Sequence, residues 1–153
     1  MLIGIPPLIG PELLQLLSRM GHGDSIVLAD AHFPGESCNA RHCVRMDGVP
    51  VAPLLDAVLR LLPLDTYIDD PLVMMSPVPG DTCDPDIQSS YERSIRAAVG
   101  NPPPIRSVDR FAFYERARKA FVIVMTGETG KYGNILIVKG VTPPYHVPAM
   151  PSQ

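Results

Sequence analysis

Residues 11–30, PELLQLLSRMGHGDSIVLAD, carry a helix, a stop and a strand in one short run. Pro11 suits the first helical position, where its missing N–H costs nothing. Leu13, Leu16, Leu17 and Met20 then recur at helical spacing, so residues 11–20 predict an amphipathic helix. Gly21 ends it at the position just past the cap. Ser25–Ala29 follows as a short apolar run with two β-branched residues, which predicts a buried strand with Asp30 at its carboxyl end.

Working outward, the same alternation continues. Residues 31–50 read as loop, with Pro34, Gly35, Gly48 and Pro50. Pro53–Leu62 reads as a second helix and Leu72–Val78 as a second strand. Asp84-Pro85 supplies a cap and a first-turn proline for a third helix, continued by Ile87, Tyr91 and Ile95. Asn101–Pro104 breaks the chain. Asp109–Ala120 reads as a fourth helix. Phe121–Met125 and Ile135–Val138 read as strands that neighbour each other across the loop TGETGKYG. The expectation is an α/β fold: a single layered domain with a mixed, mostly parallel sheet flanked by helices. The domain covers residues 1–142, and residues 143–153 form a proline-containing tail, extended or partly disordered.

Composition excludes several classes. With 46% hydrophobic and 19% charged residues among 153, the chain is globular. A net charge of −3 and no run of Lys and Arg exclude the usual nucleic-acid footprint. No apolar stretch reaches the roughly 18 to 20 residues of a membrane span. The start, MLIGIPPLIG, lacks a signal peptide's charged region, so a cytoplasmic location is expected. Three cysteines, an odd count, argue against a disulfide framework. Cys38, His42 and Cys43 lack a fourth ligand at zinc spacing, so no metal site is expected.

Ligands in α/β proteins gather beyond the carboxyl ends of strands and at helix ends. Three segments qualify: Gly21–Asp24, Asp30–His32 and Gly127–Asn134. His22, between two glycines, reads equally as an acid–base group and as a histidine bonding the last helix carbonyls. Asp30 reads more simply as a residue starting an Asx-turn. Arg110 reads as a solvated helix residue or a hydroxyl-binding fork. Phe111 and Tyr114 read as core. The loop GETGKYGN is not a P-loop: only two residues separate Gly127 and Gly130, and Tyr132 follows Lys131 where Ser or Thr is required. No dinucleotide fingerprint is present.

A resemblance gathers these residues together. The stretches PELLQLLSRMGHGDSIVLADAHFP (11–34), DRFAFYERARKAF (109–121) and TGETGKYGNILIVKG (126–140) resemble the fucose mutarotase family, itself related to the ribose pyranases. The likeness runs from about residue 2 to about residue 142. It implies that His22 is the catalytic histidine. It implies that Asp30, Arg110, Tyr132, Gly133 and Asn134 bind the sugar. It further implies no cofactor, and a homo-oligomer, a decameric ring of two stacked pentamers, with sites near subunit boundaries. Residues 36–43, ESCNARHC, and the tail depart from the family pattern.

The implied reaction interconverts the α and β anomers of a free pyranose, L-fucose foremost. A proton leaves the anomeric hydroxyl and another reaches the ring oxygen, with His22 serving one transfer and Tyr132 or a water the other. The rivals are a ribose pyranase and a non-catalytic sugar-binding module. Self-association has one local argument as well. Between Pro53 and Leu62 only Asp56 and Arg60 are charged, which suggests an apolar outer face covered by a partner. The alternative is a helix buried on both sides within one chain.

Overall fold

The computed structural model describes residues 1–144. Six strands form one sheet in the order β2-β5-β1-β6-β3-β4. They are β1 (Ser25–Ala29), β2 (His42–Met46), β3 (Leu72–Met75), β4 (Arg106–Val108), β5 (Val122–Thr126) and β6 (Ile135–Val138). Strand β6 runs antiparallel to both neighbours, β1 and β3, and the remaining pairs are parallel. The sheet is therefore mixed and mostly parallel.

Four helices cover it: α1 (Pro11–Arg19), α2 (Val51–Leu59), α3 (Pro85–Val99) and α4 (Arg110–Arg118). Side-chain alternation along each strand sorts them into layers. Ile26 and Leu28 of β1 join Leu13 and Leu17 of α1, Leu54 and Val58 of α2, and Tyr91 and Ile95 of α3. Val27 and Ala29 point the other way, to Phe113 and Ala117 of α4 and to Phe33 and Cys38 of the 31–41 connection. Burial on both faces explains why β1 and β5 read as unbroken apolar runs.

Four expectations need correction. Strands β5 and β6 are not neighbours, because β1 lies between them and pairs with both. An eight-residue loop is longer than a tight hairpin uses and is free to cross over a strand. Residues 31–50 are not all loop: His42–Met46 pairs with β5 as an edge strand, and its exposed Arg45 blurs the apolar signal. Strand β3 ends at Met75, three residues early, before Pro77. Helix α2 starts at Val51 and stops at Leu59, with Pro53 inside the first turn, where no helical N–H is needed.

The apolar outer face expected of α2 does not exist either. Val51, Leu54, Leu55, Ala57, Val58 and Leu59 are all buried within this chain, and the helix packs against α3 and the sheet. The expected tail falls mostly on residues 145–153, outside the described residues.

Candidate active site

Four segments meet where the parallel strands end. Strand β1 delivers Asp30. Strand β3 ends at Met75. Strand β4 leads through Asp109, whose carboxylate accepts the Ala112 N–H and caps α4, into Arg110. Strand β6, being antiparallel, starts here with Asn134 just before it. Together they wall a pocket of about 260 Å³ lined by Asp30, His32, Phe33, Met75, Arg110, Tyr114, Lys131, Tyr132 and Asn134. That volume suits a ligand smaller than a drug molecule.

Asp30 is the hub. One carboxylate oxygen accepts the His32 N–H at 3.0 Å, closing an Asx-turn. The other accepts the Gly133 N–H at 3.0 Å. Its own N–H donates to Asn134 Oδ1 at 2.8 Å, and the Asn134 amide hydrogens have no partner among the described residues. Burial raises the Asp30 pKa, and the N–H donors of His32 and Gly133 oppose that rise. The local turn role and the pocket role thus coexist in one residue.

The 127–134 loop is pinned over β1. Ala31 N–H donates to the Glu128 carbonyl at 2.7 Å, and His32 Nε2 lies 3.1 Å from the Thr129 carbonyl. Gly133 lies beneath the pocket wall, with its carbonyl accepting the Tyr91 hydroxyl at 2.7 Å. A Cβ there would meet the Gly130 carbonyl at 3.0 Å and the Tyr91 hydroxyl at 3.1 Å, so any larger residue would have to push these neighbours back. Tyr132 takes φ +61°, a left-handed conformation that costs a bulky residue about 1 to 3 kcal/mol.

Arg110 has no carboxylate partner among the described residues, and its guanidinium lies 5.0 Å from the Phe111 ring. Phe111 is not core but 69% exposed. Tyr114 is half-buried, packing on Phe33 while lining the pocket.

His22 is elsewhere. It precedes β1, whereas Asp30 follows it, so β1 separates them by more than about 13 Å at 3.3 Å per residue. Its ring does not serve the carbonyls of α1. Nε2 lies 3.2 Å from Asp65 Oδ1, and the ring packs 5.1 Å from that of Tyr67. Asp65 is buried, and the Tyr67 N–H followed by His22 holds its pKa below the usual range. An ionised Asp65 accepts from Nε2–H, which leaves Nδ1 as the free acid–base atom of the neutral ring.

Asp65 stands beside His22, and His32 and Lys131 line the pocket with Asp30, yet their side chains carry no motif of their own. Only His32, two positions after Asp30, and Lys131, next to Tyr132, offered a signal in the sequence. Cys38, Cys43 and Cys83 are free thiols, and burial first and then Glu36 push the Cys43 pKa to about 11. Among the described residues no group of three or more His, Cys, Asp or Glu side chains is placed to hold a metal.

Fold and pocket define a class: a small α/β protein with a polar, ligand-sized pocket at the carboxyl ends of its parallel strands. Residues 3–142 match the RbsD/FucU transport protein family, and the chain belongs to that family. It is 52% identical over 143 residues to the L-fucose mutarotase of Histophilus somni (strain 2336), covering 94% of this chain and 99% of that one. A fucose mutarotase of Streptococcus pneumoniae, solved in complex with L-fucose, superposes with a TM-score of 0.87 at 46% identity, over 93% of this chain and 100% of the other. The Bacillus subtilis RbsD solved with D-ribose shares the fold at a TM-score of 0.68 but only 16% identity, over 88% of this chain and 95% of that one.

Proposed function

We propose that this protein is an L-fucose mutarotase, an isomerase that exchanges the α and β anomers of the free sugar. The observation that carries this is the full-length likeness, at 46 to 52% identity, to an L-fucose mutarotase and to a fucose mutarotase solved with L-fucose. The pocket agrees with it. Arg110 offers a fork of donors, Asn134 offers amide hydrogens, and Asp30 and Tyr132 offer oxygen acceptors, a set suited to a ring of hydroxyls.

His22 is the acid–base group. It takes the anomeric proton or delivers one to the ring oxygen, the aldehyde rotates, and closure reverses the roles. Asp65 fixes the ring so that Nδ1 does this work. Because β1 separates His22 from Asp30, one chain cannot place both against one pyranose. The site is therefore composite: His22 of one copy meets the Asp30 pocket of another. Exposed apolar side chains flank both halves, Tyr67 and Ile68 beside His22 and Phe111 beside Arg110, as an interface core requires. The working form is then a homo-oligomer, with a decameric ring as the arrangement proposed. Among the described residues no helix is long and apolar enough to cross a membrane. The three free thiols suit a reducing compartment, and we assign the protein to the cytoplasm.

Anomer exchange followed by saturation-transfer NMR tests the reading. Faster exchange of L-fucose than of the solvent reaction supports it. Saturable binding without exchange makes the protein a binding module, and preferential exchange of D-ribose makes it a pyranase.

A further inference from the structure

Asp81 stands behind the pocket wall, on the connection between β3 and α3, and does not itself line the cavity. Its Oδ1 accepts from Lys131 Nζ at 2.6 Å and from the Thr82 N–H at 2.8 Å. Its Oδ2 accepts from the Tyr132 hydroxyl at 2.7 Å. The Val78 N–H reaches the same phenolic oxygen at 3.4 Å. Gly80, at φ +87°, makes the turn that brings the carboxylate round. One carboxylate thus holds two consecutive pocket residues, the second of which has a left-handed backbone. A bulky residue keeps that conformation only where its surroundings fix it.

We propose that Asp81 is a positioning residue for sugar binding: it keeps the Tyr132 hydroxyl proton on its own side, so that the phenolic oxygen faces the sugar as an acceptor alone. This rests on the mutarotase reading of the pocket and deepens it. Two consequences follow. Tyr132 selects a sugar hydroxyl that donates, and it does not supply the proton that complements His22. That second proton passes through water or another group.

The test compares wild type, Asp81→Asn, Tyr132→Phe and the double variant, with L-fucose affinity measured by calorimetry and exchange by NMR. Each single change weakens affinity and raises KM by roughly tenfold, the worth of one hydrogen bond, with a smaller effect on kcat. The double variant is no worse than the worse single, because both remove the same contact. Asp81→Glu, which keeps the charge, recovers part of the loss and serves where Asp81→Asn melts too low to assay. Unchanged affinity in Asp81→Asn, or losses that multiply in the double variant, overturns the proposal. A wild type that binds L-fucose without exchanging its anomers removes the mutarotase reading while the affinities still decide the role of Asp81. A wild type that does neither overturns both.

Discussion

His22 and Asp65 sit 43 positions apart and meet as a histidine whose tautomer a buried carboxylate sets. His22→Ala is expected to lower enzymic exchange of L-fucose by about 10² to 10⁴-fold, the usual worth of positioned acid–base catalysis, with circular dichroism unchanged. A folded variant with the wild-type rate would remove His22 from the mechanism. Asp65→Asn keeps the shape but weakens the hold on the ring. It should cost roughly tenfold in kcat, the equivalent of one charge-assisted hydrogen bond of about 1.5 kcal/mol. The pH response is also a matter of single residues. Lys131 first, and then Tyr132, hold the Asp81 pKa at about 2, below its ordinary 3.8. A depressed carboxylate stabilises the fold fully above its unfolded pKa and loses that contribution as pH falls through the folded one. Melting temperature should therefore fall between about pH 4 and pH 2, more steeply in wild type than in Asp81→Asn. Asp30 acts in the opposite sense, since its pKa is raised and its contribution fades as pH rises. Parallel melting curves for the two proteins would show that the clamp carries no such linkage.

At the scale of elements, the loop from Gly127 to Asn134 does more than connect. It crosses β1, seals its end through Ala31 and Asp30, and presents Lys131 and Tyr132 to the pocket. Gly133→Ala is expected to destabilise the protein by about 1 to 3 kcal/mol, because its methyl meets a carbonyl and the Tyr91 hydroxyl at close range. Chemical denaturation measures this, and an unchanged midpoint would show that the loop relaxes freely. The helices and the doubly buried strands were legible in sequence because each announces itself within its own residues: Pro11 and Gly21 bracket α1, and Asp84-Pro85 opens α3. Edge strands β2 and β4 lack an apolar run and exist through pairing alone. The order of β5, β1 and β6 was equally hidden, since spacing along the chain does not say which strand slips between two others. The same division holds for the site. Asp30, Arg110, Tyr132 and Asn134 share short motifs and one pocket. Asp65 and Asp81 act on partners 43 and 51 positions away, which no local pattern records.

For the whole molecule, the burial of α2 removes one reason for assembly, and the separation of the half-sites supplies a better one. Two inactive variants test it. His22→Ala spoils one half-site and Arg110→Ala the other, so co-expressed chains should regain anomer exchange where a wild-type pair of halves meets. Absence of recovery, or full activity at the monomer mass of 16.6 kDa in light scattering, would place the site within one chain. Strands β1 and β6 each run from one half-site to the other, and being paired they form a rigid spar of fixed length. In the composite site proposed above, a subunit joined head to tail would hand its histidine forward and receive one from behind. An open string of such subunits wastes a histidine at one terminus and a pocket at the other, leaving one active centre fewer than it has members. A closed circle wastes neither. Specific activity per chain then becomes a gauge of closure: it climbs as strings lengthen and reaches its ceiling only when the last subunit finds the first.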